Sequence, residues 1–168
     1  ISLLKVFKRF NIKIISSGGT YKSIKKLGYK CTEISRYTGF KEMLDGRVKT
    51  LHPKIHSGIL FKRSNNKHKL QMKKNKFESI DLVIVNFYPF EETIKKTANN
   101  KKIVENIDIG GPSIVRAAAK NFSDVTIVTN KNQYPELIKE MNRNKGKTNL
   151  NFREKMANEA FNLTAYYD

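Results

Sequence analysis

The fold is decided by residues 13–20, Lys13-Ile14-Ile15-Ser16-Ser17-Gly18-Gly19-Thr20. The run KIIS is short, apolar and β-branched, which is typical of a buried strand. Two glycines follow it directly, and a helical pattern then covers residues 20–27. A strand, a tight turn and a helix in this order predict one unit of an α/β fold.

The same pattern recurs along the chain. Further strands are predicted at residues 30–34, 81–87 and 124–129. Helices are predicted at residues 1–10, 20–27, 102–106, 112–121, 135–141 and 152–164. Strands that alternate with helices predict a mainly parallel sheet with helices on both faces, in which ligands bind beyond the carboxyl ends of the strands.

Composition narrows the class of protein. The 168 residues fit one domain, and 33 Lys and Arg against 15 Asp and Glu give a formal charge of +18. Such a charge makes a basic RNA-binding module an alternative interpretation of this protein. The densest basic stretch, residues 62–76, contains no acid and no Phe, Tyr or Trp to stack on bases. We therefore predict a solvated helix face there and no nucleic-acid partner.

The setting of the protein follows from two further features. No apolar run approaches the roughly 18 residues of a membrane span, so no membrane association is expected. Cys31 is the single cysteine, and no Cys and His spacing resembles a zinc site. Both features favour a reducing, cytosolic setting.

The turn after the first strand has the ingredients of a phosphate site. Gly18 and Gly19 allow a tight turn with converging N–H groups, and Ser17 and Thr20 add hydroxyl donors at a helix N-terminus. An ordinary helix N-cap is the alternative.

Residues 38–58 are punctuated by Gly and Pro and are predicted to form an ordered loop. Arg47 and Lys49 lie two residues apart and can face the same anion. His52 and His56 suggest a metal site, but we expect Pro53 to prevent the regular helix that such ligation would use. We therefore predict no metal.

Two later segments add polar groups to the same edge of the sheet. Asn86 and Tyr88 follow the third predicted strand, although a packing role for Tyr88 is the alternative. Asp108 precedes a glycine pair and an alanine-rich helix that has Lys120 near its end. A carboxylate beside an ammonium could orient the lysine for proton transfer. A capping aspartate and a surface lysine are the alternative.

Three strings carry a resemblance to a known family. TGFKEMLDGRVKTLHPKIHSGIL (38–60), NFYPFEET (86–93) and ENIDIGGPSIVRAAAKN (105–121) follow SSGGT in register. Together they closely resemble the inosine monophosphate (IMP) cyclohydrolase domain of the PurH family, and the resemblance runs over residues 1–168. It implies a methylglyoxal synthase-like, Rossmann-like three-layer fold.

The resemblance also implies an activity. The family closes the ring of FAICAR, the formylated aminoimidazole carboxamide ribonucleotide, to IMP with loss of water and without metal or organic cofactor. By the same resemblance, Lys120 is expected to be the principal acid/base group, Asp108 to orient it, and Tyr88 and Lys49 to stabilise charge on the formyl oxygen. Substrate contacts are expected from Ser17, Gly18, Gly19, Thr20, Arg47, Lys49, Thr50, Val85, Asn86, Asp108 and Ile109.

The chain departs from the family in two places. The family's first strand, with its Ser-Asp-Lys turn, and its C-terminal transformylase domain, which uses 10-formyltetrahydrofolate, are not found in residues 1–168. We therefore expect a fragment of a bifunctional, homodimeric parent. The rivals within the fold are methylglyoxal synthase and the effector domain of a carbamoyl phosphate synthetase, in which we would not expect NFYPF or the IDIGGPS and RAAAKN motifs.

Overall fold

The computed structural model describes residues 1–87 and 99–168. Its strands are β1 (Ile15–Ser16), β2 (Thr32–Glu33), β3 (Leu82–Ile84) and β4 (Thr126–Val128). Its helices are α1 (Ser2–Arg9), α2 (Gly18–Lys26), α3 (Ile34–Thr38), α4 (Pro53–Leu60), α5 (Asn66–Lys74), α6 (Asn100–Glu105), α7 (Gly110–Lys120), α8 (Tyr134–Arg143) and α9 (Leu150–Tyr167). Short 3-10 turns lie at Leu44–Gly46 and Lys131–Gln133. The predicted α/β order of elements is therefore confirmed.

The strands pair in parallel, as predicted, but as two separate pairs. Ile15 lies opposite Thr32 in the first pair, and Leu82 lies opposite Thr126 in the second. Each pair forms its own two-stranded sheet within the described residues. The predicted parallel α/β fold class is therefore confirmed, while the division into two pairs is a feature that apolar patterning cannot predict, because it carries no information about which strands lie side by side.

Helix α7 lies at the centre of the core. Val115, Ala118 and Ala119 are fully buried, and α7 packs against α9, α4 and β4. Ala160 of α9 is also fully buried. Small side chains let helix backbones approach closely, so the alanine run places α7 between two helices and the second strand pair.

The predicted loop at residues 38–58 is partly wrong. Pro53 occupies the first turn of α4, where a missing N–H costs nothing, and does not prevent a helix. His52 caps this helix: its Nδ1 accepts a hydrogen bond from the backbone N–H of Lys54 at 3.1 Å. Proline restricts the residue before it and favours the start of a helix, so Pro53 marks the start of α4.

The basic stretch at residues 62–76 contains helix α5, as predicted. Met72 is its buried residue, and its lysines are exposed. Across residues 1–87 and 99–168, no helix combines the length and the apolar character that crossing a membrane would require.

Asn121 fixes the carboxyl end of α7 to the end of α4. The side chain is buried, and Nδ2 donates to the carbonyl oxygens of Ile59 at 2.7 Å and Phe61 at 3.2 Å. The last carbonyl groups of a helix have no partner within it, so this amide satisfies a group that would otherwise be buried alone.

We expect Asn121→Ala to lower the free energy of unfolding by about 1–3 kcal/mol, because it leaves the Ile59 carbonyl unsatisfied. The measurement is equilibrium urea unfolding. Asn142→Ala is the matched control: Asn142 is exposed and only accepts a 3.4 Å hydrogen bond from Arg9. The control should change stability by less than about 0.5 kcal/mol. An Asn121→Ala protein as stable as the control would contradict this role.

Candidate functional site at the carboxyl ends of the strands

The SSGGT turn joins the carboxyl end of β1 to the first turn of α2. Gly18 has φ +54°, a left-handed conformation that favours glycine. Ser17 stands at the N-cap position but makes no side-chain capping hydrogen bond. Gly18, Gly19 and Thr20 are exposed. The first N–H groups of α2 therefore face solvent with the hydroxyls of Ser17 and Thr20 beside them, which is an arrangement that can hold an anion.

Lys49 reaches this turn from the loop between α3 and α4. Its Nζ lies 3.8 Å from the position that a Cβ on Gly18 would occupy. The lysine side chain is 35% exposed, so its ammonium group stands at the rim of the site. The structure thus brings together two elements that lie about 30 residues apart in the sequence, in agreement with the predicted grouping of Gly18 and Lys49.

Thr50 and Asp108 form the other half of the site. Thr50 Oγ1 lies 2.5 Å from the position of a Cβ on Gly110, so a side chain at Gly110 would collide with it. The backbone N–H of Gly111 donates to Asp108 Oδ1 at 2.9 Å. Asp108 is half-buried. One carboxylate oxygen of Asp108 is therefore held at the start of α7. Thr50 lies beside Gly110, at the same helix start.

The end of β3 is held by aromatic residues from distant parts of the chain. Asn86 Nδ2 donates to the hydroxyl of Tyr134 at 2.8 Å. The backbone N–H of Asp108 donates to the hydroxyl of Tyr167 at 2.9 Å, and the ring of Tyr167 lies 5.1 Å from that of Phe87. These contacts place the end of β3 and the start of α7 on the same side of the molecule.

Three further residues of this region were predicted to contact the substrate: Val85, Tyr88 and Ile109. The backbone N–H of Val85 donates to the carbonyl of Val128 at 3.0 Å, so this donor is already used within the strand pair. Ile109 is exposed beside Asp108. Tyr88 lies outside the described residues.

Lys120 lies at the other end of α7. An α-helix rises 1.5 Å per residue, so about 15 Å separates Gly110 from Lys120 along the axis. Lys120 is exposed, and Asn121 next to it contacts the end of α4. This geometry contradicts the predicted contact between Asp108 and Lys120, because the eleven residues of the helix hold the two side chains apart.

The neighbours of Lys120 place it at the amino ends of the strands. Asp124, four residues after it, accepts a hydrogen bond from the backbone N–H of Arg63, and the Arg63 guanidinium also binds Asp81, just before β3. The backbone N–H of Thr126 donates to the carbonyl of Asp81 at 3.0 Å. Lys120 therefore lies at the edge of the sheet opposite to Asn86 and Asp108.

Both cations of the 47–50 segment have acidic neighbours. The Arg47 guanidinium forms an ion pair with Glu105 of α6. Lys49 Nζ lies 3.9 Å from Glu42 Oε1. Sequence reasoning did not identify Glu42, Glu105, Tyr134 or Tyr167 as part of this region. Glu42 and Glu105 each stand inside a quoted motif, but only the fold brings Tyr134 and Tyr167 near the site.

The histidines do not form a metal site with other residues of the described part of the chain. Among those residues, no three His, Cys, Asp or Glu side chains are grouped in a way that could hold a metal ion. His52 uses its Nδ1 to cap α4. Burial lowers the pKa of His56, which favours its neutral form.

Two cavities lie near these elements, and neither is enclosed by the whole set of predicted residues. One, of about 330 Å³, is lined by Ser57, Leu60, Phe61, His68, Gln71, Met72, Asn75 and Phe77. The other, of about 10 Å³, is lined by Glu33, Ile34, Ser35, Phe40, Glu42 and Lys49. We base the site on the contacts at the strand ends because the larger cavity contains none of the predicted groups. Within residues 1–87 and 99–168, the predicted groups form an open edge.

Comparison with known proteins gives the family. Residues 1–113 match the MGS-like domain, and residues 118–168 match the AICARFT/IMPCHase bienzyme family. The crystal structure of ForH superposes with a TM-score of 0.86 at 27% identity and covers 99% of this chain and 87% of that one.

Curated relatives match this chain over its whole length. Bifunctional purine biosynthesis protein PurH of Rhizobium etli is 45% identical over 168 residues, which are 100% of this chain and 31% of the relative. PurH of Persephonella marina is 46% identical over the same length, with 32% of the relative covered. PurH of Clostridium kluyveri is 47% identical, with 34% covered. The chain thus spans about one third of the length of these relatives, and it belongs to the MGS-like domain family, in its PurH branch.

Proposed function

We propose that this chain performs the IMP cyclohydrolase reaction, in which FAICAR closes to inosine 5′-monophosphate with loss of water. The observation that carries the proposal is the position of Lys49 Nζ beside Gly18 of the SSGGT turn. It joins an anion-binding helix start to a cationic side chain, at the edge where α/β proteins bind ligands. The relatives named PurH support the same activity.

The phosphate of the substrate is proposed to lie on the SSGGT turn. Backbone N–H groups of Gly18, Gly19 and Thr20 and the Ser17 hydroxyl donate hydrogen bonds to the phosphate oxygens, and Arg47 adds charge at the rim. The positive end of the α2 dipole favours the same anion. Asn86, Ile109 and the backbone at Val85 are proposed to contact the base.

Ring closure joins the carboxamide nitrogen to the formyl carbon. As that bond forms, the formyl oxygen gains negative charge, and we assign its stabilisation to the Lys49 ammonium, with Tyr88 as a second proposed donor. The attacking nitrogen loses a proton, which we assign to the Asp108 carboxylate. The formyl oxygen takes up that proton and one from the formamido nitrogen, its bond to carbon breaks and it leaves as water, and a double bond forms between the formamido nitrogen and the former formyl carbon.

Asp108 is suited to this role because only one of its oxygens is fixed. Oδ1 accepts the Gly111 N–H, which holds the carboxylate in place. Thr50 Oγ1, beside Gly110, is placed to orient a neighbouring polar group of the substrate. Both reacting groups belong to one molecule, so holding them in the reactive conformation supplies much of the acceleration.

As the family resemblance implies, the proposal includes no metal and no organic cofactor. We propose FAICAR and IMP as the small-molecule partners, no nucleic-acid partner and a cytosolic location. We also propose that the longer parent protein transfers a formyl group from 10-formyltetrahydrofolate and that it forms a homodimer. Only the family resemblance supports these two proposals.

Gly18→Ala should weaken binding of inosine 5′-monophosphate about tenfold, since a side chain in the left-handed region costs about 1–2 kcal/mol and the turn would relax away from the phosphate. Gly28→Ala is the matched control, because Gly28 has φ +78° and a Cβ there meets nothing within 4 Å, but it lies just beyond the other end of α2 and outside the turn. Its affinity should stay within about twofold of the unchanged chain. The measurement is isothermal titration calorimetry, and equal affinities of the two variants would contradict the phosphate site.

Asp108→Asn should lower the rate of FAICAR cyclisation by about 10²-fold or more, because the amide keeps the acceptor for Gly111 but cannot take a proton. Lys120→Ala should retain most of the activity, because Lys120 lies at the far end of α7. The measurement is spectrophotometric IMP formation by the 168-residue chain. A large loss in Lys120→Ala with little loss in Asp108→Asn would support the sequence-based role of Lys120 and contradict our assignment.

A further inference from the structure

The two cations of the site, Arg47 and Lys49, are each held by a carboxylate from another segment. Glu105 comes from α6, and Glu42 comes from the loop before the 3-10 turn at Leu44–Gly46. All four side chains reach solvent, with exposed fractions of 65% for Arg47, 61% for Glu105, 35% for Lys49 and 57% for Glu42. The contacts are therefore accessible to a competing anion.

The backbone of its own loop leaves room for the Glu42 carboxylate. Gly46 is buried with φ +86°, and a Cβ on it would collide with Glu42 Oε1. The position that this Cβ would occupy is 3.3 Å from Lys49 Nζ. Gly46 thus leaves the space in which the carboxylate and the ammonium group face each other.

A third carboxylate near Lys49, that of Glu33, is not available for such a role. Glu33 lines the small cavity with Glu42 and Lys49, but its Oε2 accepts hydrogen bonds from the N–H and hydroxyl of Ser35. The Ser35 contact lowers the pKa of Glu33. Its charge is therefore satisfied within the start of α3.

We infer that Glu42 and Glu105 are placeholder counter-ions, which occupy Lys49 and Arg47 in the empty site and are displaced by the phosphate of the nucleotide on the SSGGT turn, beside which Lys49 Nζ lies. The inference rests on the proposed function. A phosphate carries about −1.5 to −2 charges at neutral pH and makes stronger charge-assisted hydrogen bonds than one exposed carboxylate. The exchange keeps both cations paired and oriented before substrate arrives, and it disfavours weak anions, which would have to replace a carboxylate already in place.

Removing either carboxylate should therefore tighten nucleotide binding. We expect Glu42→Gln and Glu105→Gln each to lower the Kd for inosine 5′-monophosphate about two- to fivefold, the range that corresponds to an exposed ion pair. Affinity for inosine, which lacks the phosphate, should change less in Glu105→Gln. In an Arg47→Ala background, Glu105→Gln should have no further effect, because its partner is gone.

Asp45→Asn is the matched control. Asp45 is an exposed acid of the same loop, and no ion pair with Arg47 or Lys49 is found for it within the described residues. Its φ is +52°, which asparagine tolerates. This variant removes one negative charge at a similar place, so it measures the general effect of charge on binding of an anion.

The experiment is calorimetric titration of the unchanged chain and these variants with inosine 5′-monophosphate at low ionic strength. Tighter binding by Glu42→Gln and Glu105→Gln than by Asp45→Asn supports the inference. If the unchanged chain binds the nucleotide but the three variants bind alike, the inference is overturned and the proposed function stands. If the unchanged chain does not bind it, the proposed function is overturned and the inference falls with it.

Discussion

The site depends on the close approach of one loop to two helix starts that carry no side chain. Lys49 Nζ lies 3.8 Å from the position that a Cβ on Gly18 would occupy, at the start of α2, and Thr50 can lie beside the start of α7 because Gly110 has no Cβ. These neighbouring loop residues connect the two strand pairs across the edge where ligands bind. A side chain at Gly110 would collide with Thr50 and separate the loop from α7, and with it the cations from Asp108.

Electrostatics at this edge differ from those of the whole surface. The formal charge of +18 comes mostly from lysines such as those of α5, which are exposed. At the site, by contrast, Arg47 and Lys49 each have an acidic neighbour. Local pairing therefore determines which anion can bind there, while the remaining charge can act only through a field that salt screens over about 8–10 Å.

Much of the fold could be predicted from the sequence because its signals are local. The β-branched runs gave all four strands, and the apolar spacing gave α1, α2 and α7 to within a few residues. The lateral arrangement into two pairs could not be predicted, because it is fixed by packing between distant residues. The helix at Pro53 contradicts the predicted loop, because proline disrupts a helix interior but is well suited to a first turn.

For the site, too, local motifs could be predicted from the sequence, whereas contacts between distant residues could not. The SSGGT turn with Lys49 and the segment of Asp108 were identified from short motifs, and the structure brings each group together. The predicted contact between Asp108 and Lys120 is contradicted although both lie in one motif of the sequence, because α7 separates Gly110 from Lys120 by about 15 Å along its axis. Tyr134 and Tyr167 could not be foreseen, since only the fold brings them to Asn86 and Asp108.

The central claim is that a purine ribonucleotide binds at the carboxyl ends of the strands with its phosphate on the SSGGT turn. The most direct measurement is a crystal structure of the chain with inosine 5′-monophosphate. Our account predicts phosphate oxygens within hydrogen-bond distance, about 2.7–3.2 Å, of the N–H groups of Gly18, Gly19 or Thr20, and the base beside Asp108. A nucleotide bound instead in the cavity lined by Phe61, His68 and Met72, with the turn empty, would contradict it.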